Sequence, residues 1–133
     1  MIIVTLSECP PTANRRLAQG KKGWIPNKKY AAWKKNAVSE LADVGALEEP
    51  LGGYVIKLTF WFPDRRKRDL DNYIKAPLDA LVDAGVIVDD SKVSCIMAMK
   101  GPEMNLDGCS LDDVIPGVDI EIYGREEYSA TLS

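Results

Sequence analysis

An alternating apolar pattern in the middle of the chain constrains its fold more than any other feature. Every second residue from Tyr54 to Phe62 is large and apolar, which predicts a β-strand with one buried face. A charged loop follows, and then a set of apolar residues at helical spacing: Leu70, Ile74, Leu78 and Leu81. Gly85 ends this predicted helix, while Pro77 predicts a kink or a regular part that starts near Ala76. These patterns therefore predict a sheet that packs against a helix.

The flanking segments complete a mixed order of strands and helices. We predict further strands at residues 2–6, 93–99 and 118–123. We also predict a helix that is capped by Asn27 and runs to about Val44 before Gly45. Three segments lack a regular pattern: residues 15–26, the acidic loop 101–117 and the tail 125–133. This order predicts an α+β fold, of the α/β sandwich type, in which one mixed sheet packs against two main helices within a single domain of residues 1–124.

Charge is divided unevenly along the chain. The formal net charge is −3, but residues 1–75 hold 14 Lys and Arg against 8 Asp and Glu, whereas residues 76–133 hold 3 against 12. Because affinity for phosphate follows local potential, a basic face can bind DNA on an acidic protein. We predict DNA contacts from two basic stretches: Arg15, Arg16, Lys21, Lys22, Arg65, Arg66, Lys67 and Arg68. The alternative for each pair is an ordinary solvated surface charge.

The composition excludes several kinds of chemistry. The chain has no histidine, so it lacks the commonest general base and the Ser-His and Cys-His nucleophile pairs. Its three cysteines are Cys9, Cys95 and Cys109, and no two of them have the spacing of zinc ligands. Catalysis in this chain must therefore depend on carboxylates, lysine or a hard metal ion.

A group of acidic residues and one lysine offers that chemistry. Asp69 and Asp71 lie at the predicted entrance to the helix, where an extended backbone can direct both carboxylates the same way. Lys75 follows four residues after Asp71, and Asp90 lies in a turn beyond the helix. Carboxylates suit Mg²⁺, and a divalent ion with a nearby ammonium group can promote phosphodiester hydrolysis. We therefore predict a metal-dependent phosphodiesterase site, provided that the next strand folds back beside the helix.

Simpler roles remain open for the same residues. Asp69 or Asp71 can cap the helix, since aspartate is favoured at that position. Lys75 can be an ordinary surface ion-pair partner of Asp71. Asp89 and Asp90 can form a turn.

The sequence from Arg68 to Val93 resembles the RusA family of Holliday junction resolvases. It contains Arg-Asp-Leu-Asp-Asn-x-x-Lys-Ala, then Leu-Asp-Ala-Leu, then Gly-Val-Ile-x-Asp-Asp-Ser-x-Val. The pair Pro10-Pro11 with Asn14 after a first strand also fits the family pattern, so the resemblance covers roughly residues 2–100. The C-terminal acidic loop and the tail do not match that pattern.

The resemblance implies a homodimer that binds four-way DNA junctions and makes paired nicks with Mg²⁺ or Mn²⁺. By motif position, Asp69, Asp71 and Asp90 would bind the metal, Lys75 would be the catalytic lysine, and Asp89 is the weaker ligand candidate. The family is frequent in phages, so a role in phage recombination is an expectation by analogy. A nuclease for other branched or flapped DNA, and a non-catalytic DNA-binding module, are the alternatives.

We expect the protein to act in the cytoplasm, without a membrane partner or a nucleotide cofactor. No apolar run is long enough to span a membrane. The apolar start of the chain, residues 1–6, has no basic leader and no cleavage site, and therefore indicates a strand rather than a signal peptide.

Overall fold

A computed structural model of the chain describes residues 1–12, 17–20, 23–64, 66–101 and 115–132, with the backbone alone for residues 17–20 and 23–26. The strands are β1 (Ile2–Leu6), β2 (Leu17–Gly20), β3 (Gly23–Pro26), β4 (Tyr54–Trp61), β5 (Val93–Lys100) and β6 (Gly117–Gly124). The α-helices are α1 (Lys28–Leu41), α2 (Lys75–Asp83) and α3 (Arg125–Thr131). Short 3₁₀ turns occupy Leu70–Tyr73 and Asp90–Lys92.

A mixed four-stranded sheet in the order β1-β6-β4-β5 forms the centre of the fold. The β4–β5 pair is parallel, and the other neighbouring pairs are antiparallel. In β4 the residues with the predicted alternation are fully buried, namely Tyr54, Ile56, Leu58 and Phe60. They share one core with buried residues of both long helices. This arrangement confirms the predicted single-domain α+β fold with a mixed sheet.

Helix α1 begins where its capping residue predicts. The Asn27 side chain accepts hydrogen bonds from the backbone N–H groups of Lys29 and Tyr30, at 2.9 and 3.4 Å. Such a cap satisfies donors that have no partner inside the helix. The helix ends at Leu41, three residues before the predicted end, and a turn then leads to Gly45 with φ of 87°. Its buried face is formed by Tyr30, Trp33, Ala37 and Leu41.

The second predicted helix is divided into two parts. A 3₁₀ turn at Leu70–Tyr73 precedes α2, whose regular part starts at Lys75. Pro77 lies in the first turn of α2, where backbone N–H groups have no helical acceptor, so its missing donor costs little. Gly85, with φ of 75°, terminates the helix as expected.

Two expectations about irregular segments are wrong. Residues 15–26 were expected to be irregular, but residues 17–26 contain the β2–β3 hairpin. The tail 125–133 was expected to lack regular structure, but residues Arg125–Thr131 form α3, in which the Tyr128 ring lies 5.5 Å from that of Tyr123. The terminal amine of Met1 also contacts the Glu127 carboxylate at 3.1 Å. Most of the predicted acidic loop, residues 102–114, falls outside the described residues.

No helix within the described ranges is long and apolar enough to cross a membrane.

Candidate active site

Lys75 and Asp90 meet although fifteen residues separate them in the chain. The ammonium group of Lys75 donates a hydrogen bond to Asp90 Oδ2 at 2.5 Å. The same ammonium group contacts Asp79 Oδ1, one turn further along α2, at 3.1 Å. Asp90 therefore lies beside the start of α2.

A buried tyrosine anchors the segment that carries Asp90. The Tyr54 hydroxyl donates to the carbonyl of Leu47 at 2.7 Å and accepts from the backbone N–H of Val88 at 3.4 Å. Tyr54 is fully buried, and Val86 and Ile87 are almost fully buried beside it. The core therefore fixes the backbone just before the acidic pair 89–90.

The two neighbouring aspartates of this segment have different roles. The Asp89 side chain accepts a hydrogen bond from the backbone N–H of Ser91 at 3.1 Å and so caps the 3₁₀ turn Asp90–Lys92. Asp89 therefore caps a turn in this structure. Asp90 is the member of the pair that contacts Lys75.

Asp69 and Asp71 lie on a turn whose backbone is anchored and whose carboxylates are exposed. The N–H of Asn72 donates to the carbonyl of Asp69 at 3.0 Å, and the buried Tyr73 ring packs edge-on against Phe62 with centroids 4.9 Å apart. Asp69 occupies the capping position of the turn, but its side chain makes no capping hydrogen bond. Within the described part of the chain, the side chains of Asp69 and Asp71 have no hydrogen bond or ion pair, so a structural role for these carboxylates finds no support there.

The loop before Asp69 is held by Arg68. Its guanidinium group contacts Asp64 Oδ1 at 2.8 Å and lies 4.6 Å from the centre of the Phe62 ring. Lys100, at the end of β5, donates to the carbonyl of Arg68 at 2.6 Å. The backbone N–H of Arg66, with help from Arg68, lowers the pKa of Asp64. Arg68 therefore stabilises the loop in this structure.

A surface groove of about 820 Å³ lies beside residues 66–68, the described part of the basic stretch 65–68, which we call the basic loop. Its lining includes residues 8–12, residues 66–68 and, from α1, Lys29 and Asn36. Lys29, Arg66 and Lys67 are exposed, so this groove presents several cations to a polyanion. Arg15, Arg16, Lys21, Lys22 and Arg65, the other predicted DNA contacts, lie outside the residues whose side chains the structure describes.

The electrostatics of the pair favour its charged form. The hydrogen bond from Lys75 lowers the pKa of Asp90. The hydrogen bond to Asp90, supported by Asp79, raises the pKa of Lys75, while partial burial opposes that rise. The ammonium group therefore stays charged at neutral pH and can stabilise negative charge on a phosphate.

The structure brings Lys75 and Asp90 into contact, but it does not gather Asp69, Asp71 and Asp90 into one cluster. The turn that carries Asp71 contacts both α2 and β5, and α2 contacts the turn that begins at Asp90. Among the described residues, however, no three acidic or thiol side chains are close enough to hold a metal ion. Lys75 pairs with Asp79 and Asp90 rather than with Asp71, because the regular helix starts at Lys75 and Asp71 lies before it.

Sequence reasoning missed Asp79 as a partner of Lys75 and Tyr30 as a partner of Asp79. The spacing of four residues between Lys75 and Asp79 was a signal that could have found the first. Tyr30 donates to Asp79 Oδ2 at 2.7 Å from 49 residues away, and no local pattern indicates that contact.

Most of the chain is similar to known proteins of one family. Residues 8–123 match the model of the family described as Endodeoxyribonuclease RusA. Proteins named crossover junction endodeoxyribonuclease RusA from Escherichia coli (strain K12) and Enterobacteria phage 82 are each 33% identical over 97 residues, which cover 70% of this chain and 78% of the relative. The Aquifex aeolicus (strain VF5) protein of that name is 31% identical over 108 residues, 77% of this chain and 82% of the relative.

Proposed function

The chain belongs to the RusA family of endodeoxyribonucleases, and from that premise we propose that it is a crossover junction endodeoxyribonuclease that hydrolyses phosphodiester bonds in four-way DNA junctions. One observation carries the proposal: Lys75 and Asp90, from two separate parts of the family motif, meet beside the turn that carries Asp69 and Asp71. A protein that only bound DNA would gain nothing from acidic residues beside a phosphate.

We further propose that cleavage requires Mg²⁺, with Mn²⁺ as a substitute, held by Asp69, Asp71 and Asp90. The donor chemistry fits, since carboxylate oxygens are the ligands that Mg²⁺ prefers. Asp69 and Asp71 are exposed and have no partner among the described residues, so their oxygens are open to a cation. Because no three acids in the described ranges are close enough to hold an ion, the proposal requires their side chains to rearrange on binding.

The residues of the chain have distinct roles in this proposal. A bound divalent ion would neutralise negative charge on the phosphate and lower the pKa of a water molecule that it coordinates. Lys75 supplies a fixed positive charge that stabilises the developing charge on the phosphate or on the leaving oxygen. The anchored backbone at Tyr54 and Tyr73 keeps the two acidic stretches in place.

The groove beside the basic loop is the proposed path of the DNA backbone. Exposed Lys29, Arg66 and Lys67 would contact phosphates, and such contacts position the DNA without reading its sequence. The basic residues at 15–16, 21–22 and 65 stay predicted contacts. Because the substrate is DNA, we infer a cytoplasmic location.

We also propose that the protein acts as a homodimer. A four-way junction offers two equivalent phosphodiesters, and a two-fold dimer presents two identical sites to them. Sedimentation at the concentration used for cleavage should give the mass of two chains. A single-chain mass in a sample that makes paired cuts would contradict the dimer.

The experiment that tests the function compares four substrates: a synthetic four-way junction, a three-way junction, a flapped duplex and a linear duplex. Each is incubated with the protein in Mg²⁺ and in a chelator. We expect symmetric nicks in the four-way junction with Mg²⁺ and little cutting of the linear duplex. Preferred cutting of the flap would indicate a nuclease for other branched DNA, and binding without any cutting would indicate a non-catalytic module.

A further inference from the structure

A polar network extends from Lys75 into the interface between the two long helices. Asp79 accepts from the Lys75 ammonium group through Oδ1 at 3.1 Å and from the Tyr30 hydroxyl through Oδ2 at 2.7 Å. Tyr30 is 7% exposed and belongs to the buried face of α1. Both carboxylate oxygens of Asp79 therefore have partners, and one of those partners is fixed by the core.

The two acids that contact Lys75 are not equivalent. The side chain of Asp90 is 36% exposed and that of Asp79 is 21% exposed. Asp90 also belongs to the proposed cation site, so a bound cation would compete with Lys75 for its carboxylate. Asp79 lies on the same helix as Lys75 and is held from behind by Tyr30, so its contact can persist.

We propose that Asp79 is a positioning residue that, supported by Tyr30, holds the Lys75 ammonium group in place for cleavage. The inference rests on the proposed function, in which Lys75 stabilises charge on the phosphate. A lysine side chain is long and flexible, and its ammonium group needs an anchor to act at a defined point. Misplacement of a catalytic group by about 1 Å can cost about 100-fold in rate.

A second ion pair in the same interface provides a matched control. Lys34 contacts Asp83 at 2.6 Å, and these residues lie one helical turn beyond Tyr30 and Asp79 on their respective helices. This pair also joins α1 to α2, but it does not contact Lys75. A substitution there tests the cost of weakening the interface alone.

The experiment compares Asp79→Asn, Tyr30→Phe and Asp83→Asn in the full chain. Single-turnover cleavage of a four-way junction is measured in Mg²⁺, junction affinity is measured in a chelator, and thermal unfolding is measured for each variant. We expect Asp79→Asn to cut about 10- to 100-fold more slowly while its junction affinity stays within about twofold of the parent. Tyr30→Phe, which removes one hydroxyl, should slow cleavage in the same direction by less, and Asp83→Asn should cut at the rate of the parent.

Three results would overturn the inference. Cleavage by Asp79→Asn at the parent rate would show that Lys75 needs no such anchor. Equal loss of cleavage in Asp79→Asn and Asp83→Asn, with equal loss of thermal stability, would assign the effect to the helix interface. Unchanged cleavage by Lys75→Ala, measured alongside, would remove the catalytic role of Lys75 on which the inference rests, whereas absence of cleavage by the parent protein would refute the proposed function itself.

Discussion

The two acidic stretches of the candidate site differ in how the protein treats their carboxylates. Asp90 accepts a hydrogen bond from Lys75 at 2.5 Å, and the backbone N–H of Val88, just before it, donates to the hydroxyl of buried Tyr54. Asp69 and Asp71 are exposed, and their carboxylates have no partner among the described residues, although Tyr73 anchors their turn. In both stretches the backbone is fixed, but among the described residues only the Asp90 stretch has its charge compensated by a neighbouring side chain.

This difference indicates that the two acidic stretches have different roles. The Lys75–Asp90 half is preorganised by protein contacts, which reduces the rearrangement needed when a phosphate arrives. The Asp69–Asp71 half places two negative charges at the surface, where an external cation can compensate them. Substitutions in the two halves should therefore have different effects on cleavage and on stability.

The largest effect is expected from Asp71→Asn, which removes one charge from the uncompensated half. A divalent ion contributes several kcal/mol of charge stabilisation, so cleavage should fall about a thousandfold. Junction binding in a chelator should stay at the parent level. Asp43→Asn, at an exposed aspartate after α1, serves as the control and should cut normally. Equal cleavage by Asp71→Asn and the parent would remove Asp71 from the mechanism.

Lys75→Ala tests the preorganised half. Loss of one group that stabilises charge in the transition state typically costs at least 100-fold, so turnover should fall by about that factor. Affinity for the junction should change little, because we propose that the phosphates are contacted by the exposed cations of the groove beside the basic loop. If affinity and turnover fall in step, Lys75 is only a phosphate contact.

Tyr54→Phe tests how much of that preorganisation comes from the core. The change removes the hydroxyl that bridges Leu47 and Val88 and leaves the carbonyl of the half-buried Leu47 without this donor. The free energy of unfolding should fall by about 1–3 kcal/mol, as measured by urea denaturation. An unchanged stability would show that the bridge does not hold the segment before Asp90.

The smallest effect concerns the loop that leads into Asp69. The pKa of Asp64 is lowered below its ordinary 3.8 by the N–H of Arg66 and by Arg68. A depressed folded-state pKa gives stability that is present above the unfolded value and is lost as pH falls through the folded value. In an NMR titration Asp64 should therefore titrate below pH 3.8, and in Arg68→Ala its pKa should rise. If Arg68→Ala leaves the pKa of Asp64 unchanged, Arg68 does not contribute to the electrostatics of this loop.

The sequence predicted those parts of the fold that have long, strong patterns. The alternation of β4, the Asn27 cap, the late start of α2 around Pro77 and its end at Gly85 are all confirmed. The β2–β3 hairpin was missed because strands of four residues are too short to show a clear alternation. Helix α3 was missed because its sequence is largely polar, and its contacts with the sheet cannot be seen locally.

The site was predicted only in part, because local spacing does not show tertiary contacts. The sequence identified Lys75 and Asp90, but Asp71 and Asp79 are both four residues from Lys75, and spacing alone cannot choose between them. The choice depends on where the regular helix begins, which is set by the 3₁₀ turn and the packing of Tyr73. The role of Tyr30 depends on how α1 packs against α2, which is a property of the tertiary fold.

The central claim is that the two acidic stretches form one divalent-ion site. The most direct measurement is an NMR titration with Mn²⁺, in which the paramagnetic ion broadens the amide signals of residues near it. We predict that signals from residues 69–75 and from residues 89–92 lose intensity together at the same Mn²⁺ concentration, and that Mg²⁺ in excess restores both. Broadening of only one stretch, or of each at a different Mn²⁺ concentration, would contradict a shared site.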